Sequence, residues 1–90
     1  MPTVHLLIRG RVQGVYYRAS AKDKAIELSL TGWIKNTAAG DVEAVVTGPD
    51  TAIQRFIAWC RQGPPAAEVS DVEVKPIPET AFEEFAIVRR

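Results

Sequence analysis

The chain has one cysteine, one histidine and no long apolar run. The single cysteine, Cys60, cannot form an internal disulfide and fits a reducing compartment, so we expect a cytoplasmic protein. No apolar stretch approaches the roughly 20 residues that a transmembrane helix needs. The N-terminal residues lack the basic region and apolar core of a signal peptide. Since His5 has no second His or Cys at metal-ligand spacing, we predict no metal site and no cofactor.

Acidic residues are also missing from the N-terminal part of the chain. The whole chain has 11 Lys and Arg and 11 Asp and Glu, but every acid lies at Asp23 or later. Residues 1–22 contain Arg9, Arg11, Arg18 and Lys22. A net charge of zero argues against a general binder of nucleic acids or membrane surfaces. A locally basic end suits a small anionic ligand, although a short segment can also lack acids by chance.

Apolar periodicity predicts seven secondary-structure elements in one domain over residues 1–90. Strands are predicted at 4–9, 30–37, 42–47, 69–77 and 85–88, with Val72 and Val74 on one face of the fourth. Helices are predicted at 18–29 and from an N-cap at Asp50 to Gly63. The order βαββαβ plus a short C-terminal strand predicts an α+β, ferredoxin-like sandwich. In that fold, two helices pack on one face of an antiparallel sheet.

The segment Gly10-Arg11-Val12-Gln13-Gly14-Val15-Tyr16-Tyr17-Arg18 joins the first strand to the first helix. Two glycines bracket a predicted turn, and Arg18 falls in the first helical turn. A cation there costs about 0.3–1 kcal/mol, because the N-terminal end of a helix carries partial positive charge. A bound anion would make this placement of Arg18 favourable, since backbone N–H groups and a guanidinium would both face the anion. The segment therefore predicts a phosphate-sized anion site.

Together with Gly32-Trp33-Ile34-Lys35-Asn36 and Gly40-Asp41-Val42-Glu43, this segment resembles the acylphosphatase family, over essentially the whole chain. The resemblance implies a metal-independent enzyme that hydrolyses the carboxyl–phosphate anhydride of small acyl phosphates. It implies that Arg18 holds the phosphoryl group and that Asn36 holds the attacking water. It also implies a phosphate-binding loop of Arg11, Val12, Gln13, Gly14, Val15, Tyr16 and Tyr17.

The residue types agree with these implied roles. The leaving group is a carboxylate whose acid has a pKa of about 4, so no strong general acid is needed. Phosphoryl transfer depends mainly on positioning and charge stabilisation. The guanidinium of Arg18 can bind two phosphoryl oxygens at once. The neutral amide of Asn36 can orient water without repelling the phosphate.

Several of these residues have an alternative interpretation. Arg18 could instead pair with Glu27 or with the chain terminus. Asn36 could simply form a turn at a strand end. Gln13 could donate to the ligand or only hold the turn.

Structural roles are favoured for four other side chains. Tyr16 and Tyr17, where many relatives have phenylalanine, are expected to pack or to line a rim. His5 is expected to be structural, and Cys60 to pack in the core.

Two other functions remain to be weighed. The first is a non-catalytic phosphate-ligand or partner-binding module of the same fold, although the chain begins and ends with the domain, which favours a stand-alone enzyme. The second is RNA binding through the open face of the sheet. Trp33 and Trp59 do not form the row of aromatic residues that such binding uses, which argues against it. We expect a monomer whose partners are acyl phosphate and inorganic phosphate, with no nucleic acid and no membrane.

Overall fold

The computed structural model describes residues 1–89 as two helices and five strands. In chain order these are β1 (Thr3–Arg11), α1 (Tyr17–Glu27), β2 (Thr31–Asn36), β3 (Val42–Thr47), α2 (Asp50–Gln62), β4 (Glu68–Ile77) and β5 (Phe85–Val88). The predicted βαββαβ order and the additional last strand are confirmed. Neither helix in residues 1–89 is long and apolar enough to cross a membrane.

The five strands form one sheet in the order β4-β1-β3-β2-β5. The pairs β4/β1, β1/β3 and β3/β2 are antiparallel, as predicted, whereas β5 runs parallel to β2 and makes the sheet mixed. Both β1 and β2 are antiparallel to β3, so they share one direction, and β5 shares it too. The C-terminal ends of β1, β2 and β5 therefore meet at the same end of the sheet.

The core lies between one face of this sheet and the two helices. Every second residue of β1 from Val4 to Ile8 is buried, as a strand with one covered face requires. On α1, Ala21 and Ala25 are buried against the sheet. The predicted stripe of α2 is entirely buried and comprises Ile53, Phe56, Ile57 and Cys60.

Two expectations about element ends are wrong in detail. Helix α1 ends at Glu27 rather than Ser29, because Ser29 has a left-handed φ of 58°. The N-cap of α2 is Pro49, whose carbonyl accepts the first helical bond from Ile53, while Asp50 is the first helical residue. Its carboxylate there still favours the positive helix end. Val72 and Val74 lie on one face of the edge strand β4, as predicted, with Val72 buried and Val74 38% exposed.

Gly32 in β2 is a position where only glycine fits. Its φ is 140°, and a Cβ placed there would overlap the carbonyl oxygen of Val45. We expect Gly32→Ala to lower the free energy of unfolding by at least about 3 kcal/mol, because the substitution adds a backbone clash to an unfavourable φ. Urea denaturation with an unchanged m-value would measure the loss.

Gly40→Ala is the matched control. Gly40 also has a positive φ, 95°, but nothing lies within 4 Å of a Cβ at this position. We expect this variant to lose only about 1 kcal/mol. Equal losses in the two variants would contradict the clash at Gly32.

Candidate functional site

An open cleft of about 440 Å³ lies at the end of the sheet where β1, β2 and β5 finish. Arg18 and Asn36, which are 18 positions apart in sequence, both line it. The lining residues within 1–89 are Val12, Gly14, Tyr16, Tyr17, Arg18, Ala19, Asn36, Ile87 and Arg89. None of these residues is acidic, so the cleft is electrostatically suited to an anion.

The segment before α1 presents backbone donors to this cleft. The first hydrogen bond of α1 runs from the N–H of Ser20 to the carbonyl of Tyr16, and no side chain caps the helix start. The N–H groups of the first turn therefore have no partner within the helix. Gly14 and Tyr16 both have left-handed φ values, 74° and 61°. Alternation of left-handed residues curls successive N–H groups inward, in the type of concave turn that binds anions.

Buried and hydrogen-bonded side chains hold this turn in place. Val12 is only 1% exposed and belongs to the core. The amide of Gln13 donates to the carbonyl of Thr37 at 2.9 Å and to that of Asp41 at 2.8 Å. Gln13 was expected either to donate to the ligand or to hold the turn. In the structure its side-chain amide bonds to the β2–β3 hairpin and so holds the turn. This contact connects the turn to the strand end that carries Asn36.

Tyr17 connects the same turn to α2. Its hydroxyl donates to the carbonyl of Cys60 at 2.7 Å, and its ring lies 5.4 Å from the ring of Trp59. Burial is the main reason that the pKa of Tyr17 is raised far above its usual value. Burial likewise raises the pKa of the Cys60 thiol to about 12, despite the opposing hydrogen bond from Tyr17. Both side chains are therefore neutral packing groups at physiological pH.

Asn36 is the last residue of β2, and its side-chain oxygen is the unusual atom of the site. Oδ1 is buried and has no hydrogen-bond partner among residues 1–89. An unsatisfied buried acceptor typically costs about 1–3 kcal/mol. Because Asn36 also lines the cleft, a rotation of its side-chain amide would bring this acceptor to a donor that enters there.

Arg18 is the second residue of α1 and is partly buried. Within residues 1–89 the structure gives it no ion pair, and the suggested partner Glu27 is bound by Lys24 at 2.9 Å. The other suggested partner, the chain terminus, lies outside the described residues. Within residues 1–89, the guanidinium of Arg18 therefore has no carboxylate partner, and Arg18 lines the cleft.

The rest of the predicted phosphate-binding loop is divided between strand, cleft and core. Arg11 is the exposed last residue of β1, and Gly10 belongs to the same strand, so the turn is shorter than predicted. Val15 packs against the core, whereas Tyr16 is 84% exposed at the cleft. Three lining residues were missed by sequence reasoning: Ala19, Ile87 and Arg89. The last two could be placed only by knowing that β5 pairs with β2.

The histidine lies away from the cleft. His5 Nε2 is 2.6 Å from Glu43 Oε2, in a contact between neighbouring strands β1 and β3. Residues 1–89 contain no cluster of three or more His, Cys, Asp or Glu side chains that could hold a metal ion.

Comparisons with known proteins agree on one family. The family model described as Acylphosphatase matches residues 4–87. An acylphosphatase from Methylococcus capsulatus is 50% identical over 90 residues, which cover 99% of this chain and 98% of the relative. The structure of an acylphosphatase from Coxiella burnetii is 40% identical with a TM-score of 0.94, over 97% of this chain and 92% of that one. The crystal structure of acylphosphatase from Bacillus subtilis is 34% identical with a TM-score of 0.90, over 98% and 99% of the two chains.

The raised pKa of Cys60 predicts a loss of stability at alkaline pH. The unfolded thiol ionises near its ordinary value of 9.0, but the folded thiol keeps its proton to about pH 12. In this interval the native state binds more protons than the unfolded state, so the free energy of unfolding falls as pH rises. The slope from this one group is at most about 1.4 kcal/mol per pH unit. Urea denaturation at several pH values from 8 to 11 would measure it.

Cys60→Ala is the control for this slope. The variant is less stable at every pH because it leaves a small cavity. Its stability should fall less steeply than the wild type above pH 9, since the titrating thiol is gone. Parallel pH profiles for the two proteins would contradict the assignment.

Proposed function

The chain belongs to the acylphosphatase family, and from this premise we propose that it hydrolyses the carboxyl–phosphate anhydride of small acyl phosphates. The products are a carboxylate and inorganic phosphate. The observation that carries the proposal is the convergence of Gly14, Arg18 and Asn36 on one cleft, which has no acidic side chain among its lining residues within 1–89. Relatives that match almost end to end and share the name support catalysis over the alternative of a non-catalytic binding module.

The phosphoryl group is proposed to lie in the turn before α1. Its oxygens accept hydrogen bonds from the N–H groups of residues 12–17, and the guanidinium of Arg18 binds two of them from the helix side. The partial positive charge of the helix end and the full charge of Arg18 then act on the same dianion. The unfavourable placement of Arg18 is offset when the anion binds.

Asn36 is proposed to hold the attacking water. Its unpartnered Oδ1 accepts a hydrogen bond from a water that lies between the amide and the phosphorus. The water oxygen attacks phosphorus in line, the bond to the acyl oxygen breaks, and the carboxylate leaves with the electron pair. One proton of the water stays on the attacking oxygen, and the other passes to a second phosphoryl oxygen, so the product is dihydrogen phosphate. No phosphoenzyme is needed, and the Cys60 thiol is buried outside the lining of the cleft.

The proposal also covers metal independence, domain organisation, cellular location, oligomeric state and partners. We infer that no metal ion is required, since the guanidinium and the backbone donors supply the positive charge that phosphoryl transfer needs. We further propose a single domain that acts as a cytoplasmic monomer and binds acyl phosphate and inorganic phosphate without nucleic acid. A net charge of zero and a single cysteine support these last assignments.

Substitutions at the two proposed catalytic residues test the proposal. Arg18→Ala and Asn36→Ala are each expected to lower kcat for benzoyl phosphate by at least about 10²-fold, because each removes a preorganised contact. Arg18→Lys should recover only part of the activity, since an ammonium cannot bind two oxygens in the same planar fork. Phosphate release measured over time gives the rates.

Gln13→Ala and Arg55→Ala complete the design of this experiment. Gln13 holds the hairpin to the turn, so its loss should lower both stability and activity. Arg55 is an exposed residue of α2 that does not line the cleft, and its loss should leave kcat unchanged. Wild-type turnover by Arg18→Ala or by Asn36→Ala would contradict the role given to that residue.

Metal independence has its own test. Dialysis against EDTA, followed by assay in metal-free buffer, is expected to leave kcat within about 20% of the untreated enzyme, because the proposed charge stabilisation comes from the protein. Activity that falls with EDTA and returns with Mg²⁺ or Zn²⁺ would show that a metal takes part.

A further inference from the structure

A second arginine lines the cleft from the opposite layer of the fold. Arg89 follows directly after β5 and is exposed, and it shares the cleft with Arg18 and Asn36. Within residues 1–89 the structure gives Arg89 no carboxylate partner. Such an arginine at the mouth of an anion site carries charge that the reaction proposed above leaves unused.

The register of the sheet explains why Arg89 is there. Parallel strands β2 and β5 pair Ile34 with Ile87 and Lys35 with Val88. One step further along this register, Asn36 comes opposite Arg89. Adjacent strands are about 4.8 Å apart, and residues two apart face the same side of a sheet. Asn36 and Arg89 therefore follow Ile34 and Ile87 on the side that faces the helices.

The charge of the phosphoryl group supplies the reason for a second cation. An acyl phosphate carries nearly two negative charges on its phosphoryl oxygens, and these charges persist through the transition state. Arg18 neutralises one of them from α1. Among residues 1–89 no carboxylate side chain lines the cleft, so within this part of the chain a second guanidinium meets no competing anion there.

We propose that Arg89 is a second phosphoryl-binding residue of the site, which binds the phosphoryl group from the sheet side while Arg18 binds it from the helix side. This inference rests on the proposed function. Because the side chain of Arg89 is exposed, its contribution is smaller than that of Arg18. It acts on bound phosphate as well as on the transition state, so it affects product affinity and turnover alike.

The experiment compares Arg89→Gln and Arg89→Lys with the wild type. Phosphate affinity is measured without turnover, by following backbone amide shifts of residues 12–19 in an NMR titration with inorganic phosphate. Turnover is measured with benzoyl phosphate. We expect Arg89→Gln to weaken phosphate binding about fivefold and to lower kcat/KM about tenfold, and Arg89→Lys to stay within about threefold of the wild type.

Salt dependence separates a charge role from a structural one. Phosphate affinity of the wild type should fall more steeply with NaCl than that of Arg89→Gln, because one screened charge pair is missing in the variant. Thermal unfolding of both variants should match the wild type. Arg55→Gln removes the same charge from exposed surface outside the cleft and should change neither affinity nor salt dependence.

Each outcome decides the inference. Unchanged phosphate affinity and unchanged kcat/KM in Arg89→Gln would overturn it. So would equal losses in Arg89→Lys and Arg89→Gln accompanied by a lower melting temperature, which would indicate a structural role. If the wild type binds phosphate with the expected Arg89 dependence but hydrolyses no acyl phosphate, the proposed function fails while Arg89 remains a phosphate ligand.

Discussion

The backbone of the turn between β1 and α1 can face an anion only because the side chains of the turn are anchored in the protein interior. Val12 is buried in the core, Gln13 bonds to the β2–β3 hairpin and Tyr17 bonds to the end of α2. With these three residues directed into the protein, Gly14 and Tyr16 adopt left-handed conformations at the cleft. For a residue as large as tyrosine, such a φ is rare and costs about 1–3 kcal/mol. The contacts of Val12, Gln13 and Tyr17 supply the free energy that maintains this conformation.

The same contacts fix the distance between the two halves of the proposed chemistry. Gln13 belongs to the turn and bonds to the carbonyl of Thr37, the residue after Asn36. A shift of the hairpin would therefore move the turn with it. Preorganisation of this kind matters when catalysis relies on positioning, because donors that are already in place need no rearrangement as charge develops. In the proposed mechanism Gln13 acts as a positioning residue, because its side-chain amide bonds to the hairpin.

Much of the fold could be predicted from local pattern, whereas part of the site could not. The alternation in β1 and the stripe of α2 are properties of single segments, and both were confirmed. Motif context also predicted that Arg18 and Asn36 belong to one site, and the structure brings both to one cleft. Ile87 and Arg89 were not predicted as lining residues, because their position depends on which strand β5 pairs with. That choice is a long-range pairing with β2, and no local signal in residues 85–89 encodes it.

The choice of residue at position 36 follows from the charges around it. An aspartate in place of Asn36 would be a stronger base, but it would bring a negative charge to a cleft that Arg18 and Arg89 line and that has no acidic side chain from residues 1–89. It would pair with a guanidinium and remove a cation from the phosphoryl group. A neutral acceptor avoids both effects, and the proposed water contact of its unpartnered oxygen adds no charge to the cleft. The carboxylate leaving group departs readily without a strong acid, so the site gains more from a net positive cleft than from an additional base.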